Sequence, residues 1–241
     1  MFHTLFYEPV YNLIVVILTV VPLHDIGAAI VIVTLIVKGL LLPLNLSALR
    51  TQYMMKKIEP EMKKIKELQK KDPQAASKQM IDLYKKDKIN PFSSLFAMIL
   101  QIPIFFALYF VFSKGLFSDP NSLYSFISFP ETLHTQAFGL FDVTQKNIFV
   151  AFLAGVSSYF LAQRQTQGMG DSKKKDEEES FQEHFMKSMR IQMLYVLPVI
   201  ITFSAAFLPA ALALYWLVSN IASYGLDVYM KNKLAHLKPS H

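Results

Sequence analysis

Residues 27–46 read GAAIVIVTLIVKGLLLPLNL, twenty residues interrupted by a single charge, Lys38. About 20 predominantly apolar residues span the hydrocarbon core of a bilayer as an α-helix, so this run is expected to be a transmembrane helix, with its flank reaching residue 49. The segment after it sets its direction. Residues 50–90 hold twelve basic and six acidic side chains. A short connection so rich in Lys and Arg stays on the cytoplasmic side, which puts the start of the span outside.

Reading outward, the 241 residues are 53% hydrophobic and only 17% charged, with a mean hydropathy of +0.32, away from the usual composition of a soluble domain. Basic and apolar segments alternate. A second span is expected over 91–112, an external loop over 113–146, a short third span over 147–162 and a cytoplasmic loop over 163–190. A fourth span over 191–208, a fifth over 209–228 and a cytoplasmic tail over 229–241 complete the chain. Twenty-one of the 24 basic residues then fall on the cytoplasmic side, which fixes the amino end outside and the carboxyl end inside. Ahead of the first span, residues 10–21 are apolar for only about a dozen positions and end at Pro22, too short to span comfortably. Residues 1–26 are therefore expected to lie at the outer surface as an interfacial helix, a buried half-span being the alternative. No Lys or Arg precedes Lys38, so no cleaved leader is expected. The absence of cysteine excludes a disulfide scaffold, a thiolate metal site, a cysteine nucleophile and an acyl-cysteine anchor.

Within 50–90, Met55, Ile58, Met62, Ile65 and Leu68 recur at spacings of three and four, an apolar stripe on a helix otherwise made of Lys and Glu. Asp72 and Pro73 form a helix start, and Ala76, Met80, Leu83 and Tyr84 give the second arm a matching face. Two such helices are expected to pack as an antiparallel hairpin, with Pro60 kinking or restarting the first arm. Its net charge of about +6 suits anionic lipid headgroups and equally an anionic partner such as ribosomal RNA.

Lys38 stands some 17 Å into its span at 1.5 Å per residue. A lysine at the centre of a span costs about 2.5 to 3.5 kcal/mol on insertion scales, so it is expected to face protein or water and to mark function. Snorkelling toward the inner headgroups is the alternative. No acidic residue lies within a span to pair with it, Asp227 at the inner end of 209–228 being nearest in type. Thr34, Ser93, Ser94, Gln101, Ser157, Ser158, Thr202, Ser204, Ser219 and Asn220 add further polar groups, each compatible with interhelical hydrogen bonding and together suggestive of a wet cavity. Pro103 and Pro198 are expected to bend their spans.

Several runs together resemble one family. They are Ile36-Val37-Lys38-Gly39 with Pro43-Leu44, Gln52-Tyr53, Glu59-Pro60, Asn90-Pro91, the run from Gln101-Ile102-Pro103 through Phe105-Phe106 to Tyr109, and Leu214-Tyr215-Trp216-Leu217-Val218-Ser219-Asn220. Over residues 6–230 the chain is similar to the YidC family of membrane insertases, bacterial relatives of the mitochondrial and chloroplast Oxa-type proteins. The resemblance implies an all-α membrane protein: a five-transmembrane-helix core around a hydrophilic groove, a cytoplasmic helical hairpin and an amino-terminal interfacial helix. It places Lys38 where the family carries a groove arginine, so the charge survives while the bidentate fork is lost. Thr34, Gln101, Tyr215, Trp216 and Asn220 match groove positions. Phe105, Pro103, Pro198 and Phe207 match an apolar slide by which substrates leave, and Met55, Met62 and Lys63 match the hairpin surface that receives them. The partners implied are nascent membrane proteins and the lipid bilayer of the bacterial cytoplasmic membrane, with the ribosome and a Sec translocon as further candidates and no DNA. No cofactor or metal is expected, and no phosphate-binding loop is present. Two other classes stand against this reading. An intramembrane enzyme needs a base or metal ligands, yet all six histidines lie outside the spans. A small-solute channel or transporter needs a filter or a coupling carboxylate. An accessory assembly factor is a further alternative.

Overall fold

The computed structural model describes residues 1–69, 72–90, 92–114, 119–130, 134–167 and 187–235. Pro91, Phe117, the charged run 173–179 and the side chains of Lys63 and Ser94 lie outside the described residues. The chain is mostly helical and forms two compact units. One comprises Met1–Leu40 and Leu100–Tyr224, the other Leu41–Ile99 with the chain from Gly225 onward.

In the first unit, a π-helical turn at His3–Tyr7 runs directly into α1 (Glu8–Val20). The sequence suggests a helix of about a dozen residues, but the observed one is continuous over His3–Val20, 18 residues, and is long and apolar enough to cross a membrane. Pro9 explains the form of the extension. Its ring would meet the carbonyl of Leu5, four residues back, and a widened turn removes that clash where an α-turn would break. The same device recurs ahead of Pro198, where a π-helical turn at Gln192–Val196 precedes α8 (Leu197–Phe207). Tyr11, Ile14, Val15 and Leu18 of α1 are fully buried and pack with α2 (Ile26–Leu40), which buries Ile26, Ala29, Ile30 and Val33.

The connection between α6 (Phe92–Lys114) and α7 (Ile148–Gln165) is held by polar side chains. Asn12 donates to the carbonyls of Ser122 (2.7 Å) and Glu8 (2.8 Å) and accepts the amide of Tyr124 (2.8 Å). Asp25 caps α2 through the amide of Ala28 (2.9 Å) and accepts the amide of Phe138 (2.6 Å). That second contact anchors the two-stranded pair β1 (Gln136–Ala137) and β2 (Phe141–Asp142), whose turn places Phe138 and Gly139 at positive φ. The amides of Ala210 and Ala211 donate to the carbonyls of Gln145 (2.8 Å) and Val143 (2.9 Å), so the connection also satisfies the first orphan donors of α9 (Ala210–Ala235). Helix α8 packs on α7 at Gly155, where a Cβ would overlap the hydroxyl of Thr202.

The expected continuous span over 27–46 is interrupted. Helix α2 ends at Leu40, Leu41 is non-helical, and α3 (Leu42–Lys57) begins with Pro43 at its second position. Proline has no amide to donate to the carbonyl of Gly39 and disfavours a helical residue before it, so the chain restarts its helix there. Pro103, by contrast, lies within an unbroken α6.

In the second unit, α4 (Glu59–Gln69) and α5 (Pro73–Lys86) pack together. Ile58, Ile65, Ala76, Leu83 and Ile89 form their core, with Met55, Met62, Leu68, Met80 and Tyr84 partly buried against it. The Asp72 carboxylate caps α5 through the amides of Gln74 (3.1 Å) and Ala75 (3.0 Å). Leu49 packs with Met230 and Leu234, and the Tyr53 hydroxyl reaches the buried Asp227 carboxylate at 3.4 Å. Burial pushes the nearby Lys56 ammonium below its usual range, Asp227 opposing the shift and Lys231 adding to it.

Candidate functional site

Helix α2 sets Lys38 two residues from its end, with Thr34 one turn earlier. The Lys38 ammonium is partly buried and donates to the Ser223 hydroxyl of α9 at 3.0 Å. Among the described residues no carboxylate lies within salt-bridge reach of it. Thr34 is 2% exposed and donates to its own helix at Ile30 O (2.6 Å), so its proton is committed to the backbone.

Gln101 on α6 donates its amide to the Tyr215 hydroxyl of α9, and Ser219 follows one turn on along the same helix. Beside this pair the Phe105 and Trp216 rings stack with centroids 5.0 Å apart and planes 21° from parallel. Asn220 is drawn elsewhere, with its amide donating to Ser158 Oγ (2.7 Å), Ser157 Oγ (3.0 Å) and Ala154 O (3.4 Å) of α7. Of the groove residues expected from the sequence, the structure thus brings Gln101, Tyr215 and Trp216 to one place, links Lys38 to α9 further along, and sets Asn220 in an α7–α9 contact.

Ser223 is not distinguishable in the sequence as a partner of Lys38. The signal is nevertheless there: Tyr215, Ser219 and Ser223 repeat at intervals of four, a polar row about 12 Å long on one side of a helix.

The apolar slide residues divide by exposure. Pro198 is buried against α7, whereas Phe207 is 58% exposed, and Val199, Ile200 and Phe203 beside it are exposed too. In water such a face would be a large apolar patch; against acyl chains it is the expected surface. The Lys146 ammonium lies 5.6 Å from the centroid of the Phe207 ring. In the second unit, Met55 and Met62 contribute to the α4–α5 core while remaining partly accessible.

The family described as 60Kd inner membrane protein matches residues 15–237 of the chain. A protein of Clostridium tetani named membrane protein insertase YidC is 32% identical over 213 residues, which is 87% of this chain and 83% of that protein. Proteins of the same name from Pelobacter propionicus and Francisella tularensis subsp. novicida are each 33% identical, over 87% and 82% of this chain. The chain spans only 35% and 31% of the length of those two relatives. A match over nearly the whole chain, joined to these helices and the motifs on α2, α6 and α9, makes the chain a member of the YidC family of 60Kd inner membrane proteins.

Proposed function

We propose that the protein is a membrane protein insertase of a bacterial cytoplasmic membrane, moving hydrophobic segments of nascent proteins, with short polar tails, from the cytoplasm into the bilayer. Family membership supports the activity, and the state of Lys38 carries the mechanism. It is a cation in an apolar helix, bonded to a neutral hydroxyl. Its charge is not cancelled and remains available to an acidic group on a substrate.

The magnitudes are consistent with a lure. An acidic side chain at the middle of a span costs about 2.5 to 3.5 kcal/mol. Opposite charges 4 Å apart at an effective dielectric of 20 recover about 4 kcal/mol. A tail bearing one Asp or Glu can therefore be drawn partway across at little net cost. The apolar segment behind it then leaves by Phe105 and the face of α8 into lipid, each buried methylene contributing about 0.8 kcal/mol. Partition supplies the driving force, and the step needs no nucleotide. The α4–α5 hairpin, with its excess of lysines, receives the segment and meets the ribosome.

The test is reconstitution of the protein and of Lys38→Ala in liposomes, with a single-span substrate whose external tail is acidic or neutral and a protease-protected fragment as readout. The acidic substrate is expected to insert with the wild type and to fall about tenfold in the variant, for a loss of about 1.4 kcal/mol. The neutral one is expected to change little. Equal insertion of the acidic tail by both proteins would remove the lure. Insertion no better than in empty liposomes, beside an active control insertase, would overturn the function.

A further inference from the structure

Lysine is a compact charge on a flexible four-carbon stem, and in a helix it can swing toward the nearer water interface. Helix α2 ends at Leu40, two residues beyond Lys38, so the stem starts close to the end of its helix and can turn away from it. A lysine in this position keeps its charge in the membrane only if something holds it there. A guanidinium has five donors in a rigid fork, whereas an ammonium depends on the few acceptors it can reach.

The acceptor it reaches is Ser223 Oγ, 3.0 Å from Lys38 Nζ. Ser223 continues the row Tyr215, Ser219, Ser223 on α9, and the row is anchored at its other end by the bond between Tyr215 and Gln101. One turn back from Ser223 on the same helix, Asn220 is fixed to α7 through Ser157 and Ser158. The acceptor for the lysine thus sits on a helix segment held by two neighbours. We infer that Ser223 is a positioning residue that holds the Lys38 ammonium at membrane depth and so sets the preference of this protein for acidic substrate tails. The inference rests on the lure reading of Lys38 and extends it to a residue that meets no substrate.

The experiment uses the liposome assay with the full chain, Lys38→Ala, Ser223→Ala and Ser223→Thr, and reads the ratio of insertion for acidic against neutral tails. A bond to a charged donor is worth enough to predict that Ser223→Ala lowers this ratio about five- to tenfold, with neutral-tail insertion within about twofold of wild type. Ser223→Thr keeps the hydroxyl and is expected to keep the ratio. If the alanine variant does not accumulate in membranes, Ser223→Cys carries the same expectation, since it preserves volume and offers only a weak acceptor. A ratio unchanged in the variant lacking the hydroxyl would overturn the inference, as would an equal fall in Ser223→Thr, which would assign the effect to packing. A ratio unchanged in Lys38→Ala would instead refute the lure, so the two failures are told apart.

Discussion

Replacing Asn12 by alanine tests whether polar contacts, and not apolar packing alone, hold the connection between α6 and α7. Asn12 is 2% exposed, and its amide bonds chain segments 110 or more residues away in sequence. Its loss leaves the Ser122 carbonyl and the Tyr124 amide without their partner, whereas the Glu8 carbonyl keeps the helical bond of α1. Ser122 is buried and Tyr124 only partly so. An orphaned buried group costs about 1–3 kcal/mol, and allowing one full and one reduced penalty gives about 2–4 kcal/mol. At 1.4 kcal/mol per factor of ten, that is about 30-fold to nearly 1,000-fold more frequent local opening of residues 119–124. Hydrogen exchange in detergent micelles, read at the Ser122, Leu123 and Tyr124 amides, would report it. Asn12→Asp should behave no better, because a carboxylate cannot donate to the Ser122 carbonyl. Protection within about threefold of wild type in both variants would refute the reasoning and assign the connection to the stacked Tyr7 and Tyr11 and the edge contact of Tyr11 with Phe129.

Geometry sets two further outcomes. Gly155→Ala places a methyl on the Thr202 hydroxyl, which is itself bonded to Pro198 O at 2.8 Å; the overpacking should lower stability by about 1–3 kcal/mol, with Thr202→Ala restoring part of it, as read by thermal unfolding in micelles. Burial alone would raise the Asp142 carboxyl, but bonds from the Thr144 hydroxyl and amide, the Thr135 hydroxyl and the Gln145 amide outweigh it and hold the group below its ordinary 3.8. A depressed carboxyl stabilises the fold above its unfolded value and loses that contribution as pH falls through the folded one. The stability gap between wild type and Asp142→Asn should therefore be full above about pH 5 and narrow as the pH falls below the ordinary carboxylate value, and a constant gap would count against it.

The sequence announces its helices wherever hydropathy or a stripe of three-and-four spacing marks them. The apolar runs at 147–162 and 191–208 coincide with α7 and with the helix ending in α8, and the residues of the stripes at 55–68 and 76–84 meet in one core. Helix ends are less legible. The start at His3 depends on a π-helical turn that accommodates Pro9, and the break at Leu41 on which carbonyl Pro43 leaves without a donor. Neither is visible to a window that averages hydropathy. Asn12 and Asp25 read as polar interruptions of apolar segments, because their partners lie more than 100 residues away. Lys38 is legible because a charge inside an apolar run is conspicuous. Ser223 is not, since a serine in a helix does not stand out and its meaning comes only from the ammonium opposite.

That contrast separates the polar groups of the apolar helices by what they have left to offer. Thr34 gives its one proton to its own helix, and Asn220 gives its amide to two serines and a carbonyl. Gln101 is engaged with the Tyr215 phenol. Each of these contacts joins neutral groups and serves helix association whether or not a substrate is present. An ammonium has three donors, and among the described residues one of them is assigned, to Ser223. Two donors and a whole unit of charge therefore remain for water or for an incoming carboxylate. Satisfying them with a residue of this chain would stabilise the resting protein and remove the proposed attraction. An acidic residue introduced at Ser223 should on this ground raise stability while lowering insertion of acidic tails, a combination that a purely structural role for Lys38 does not produce.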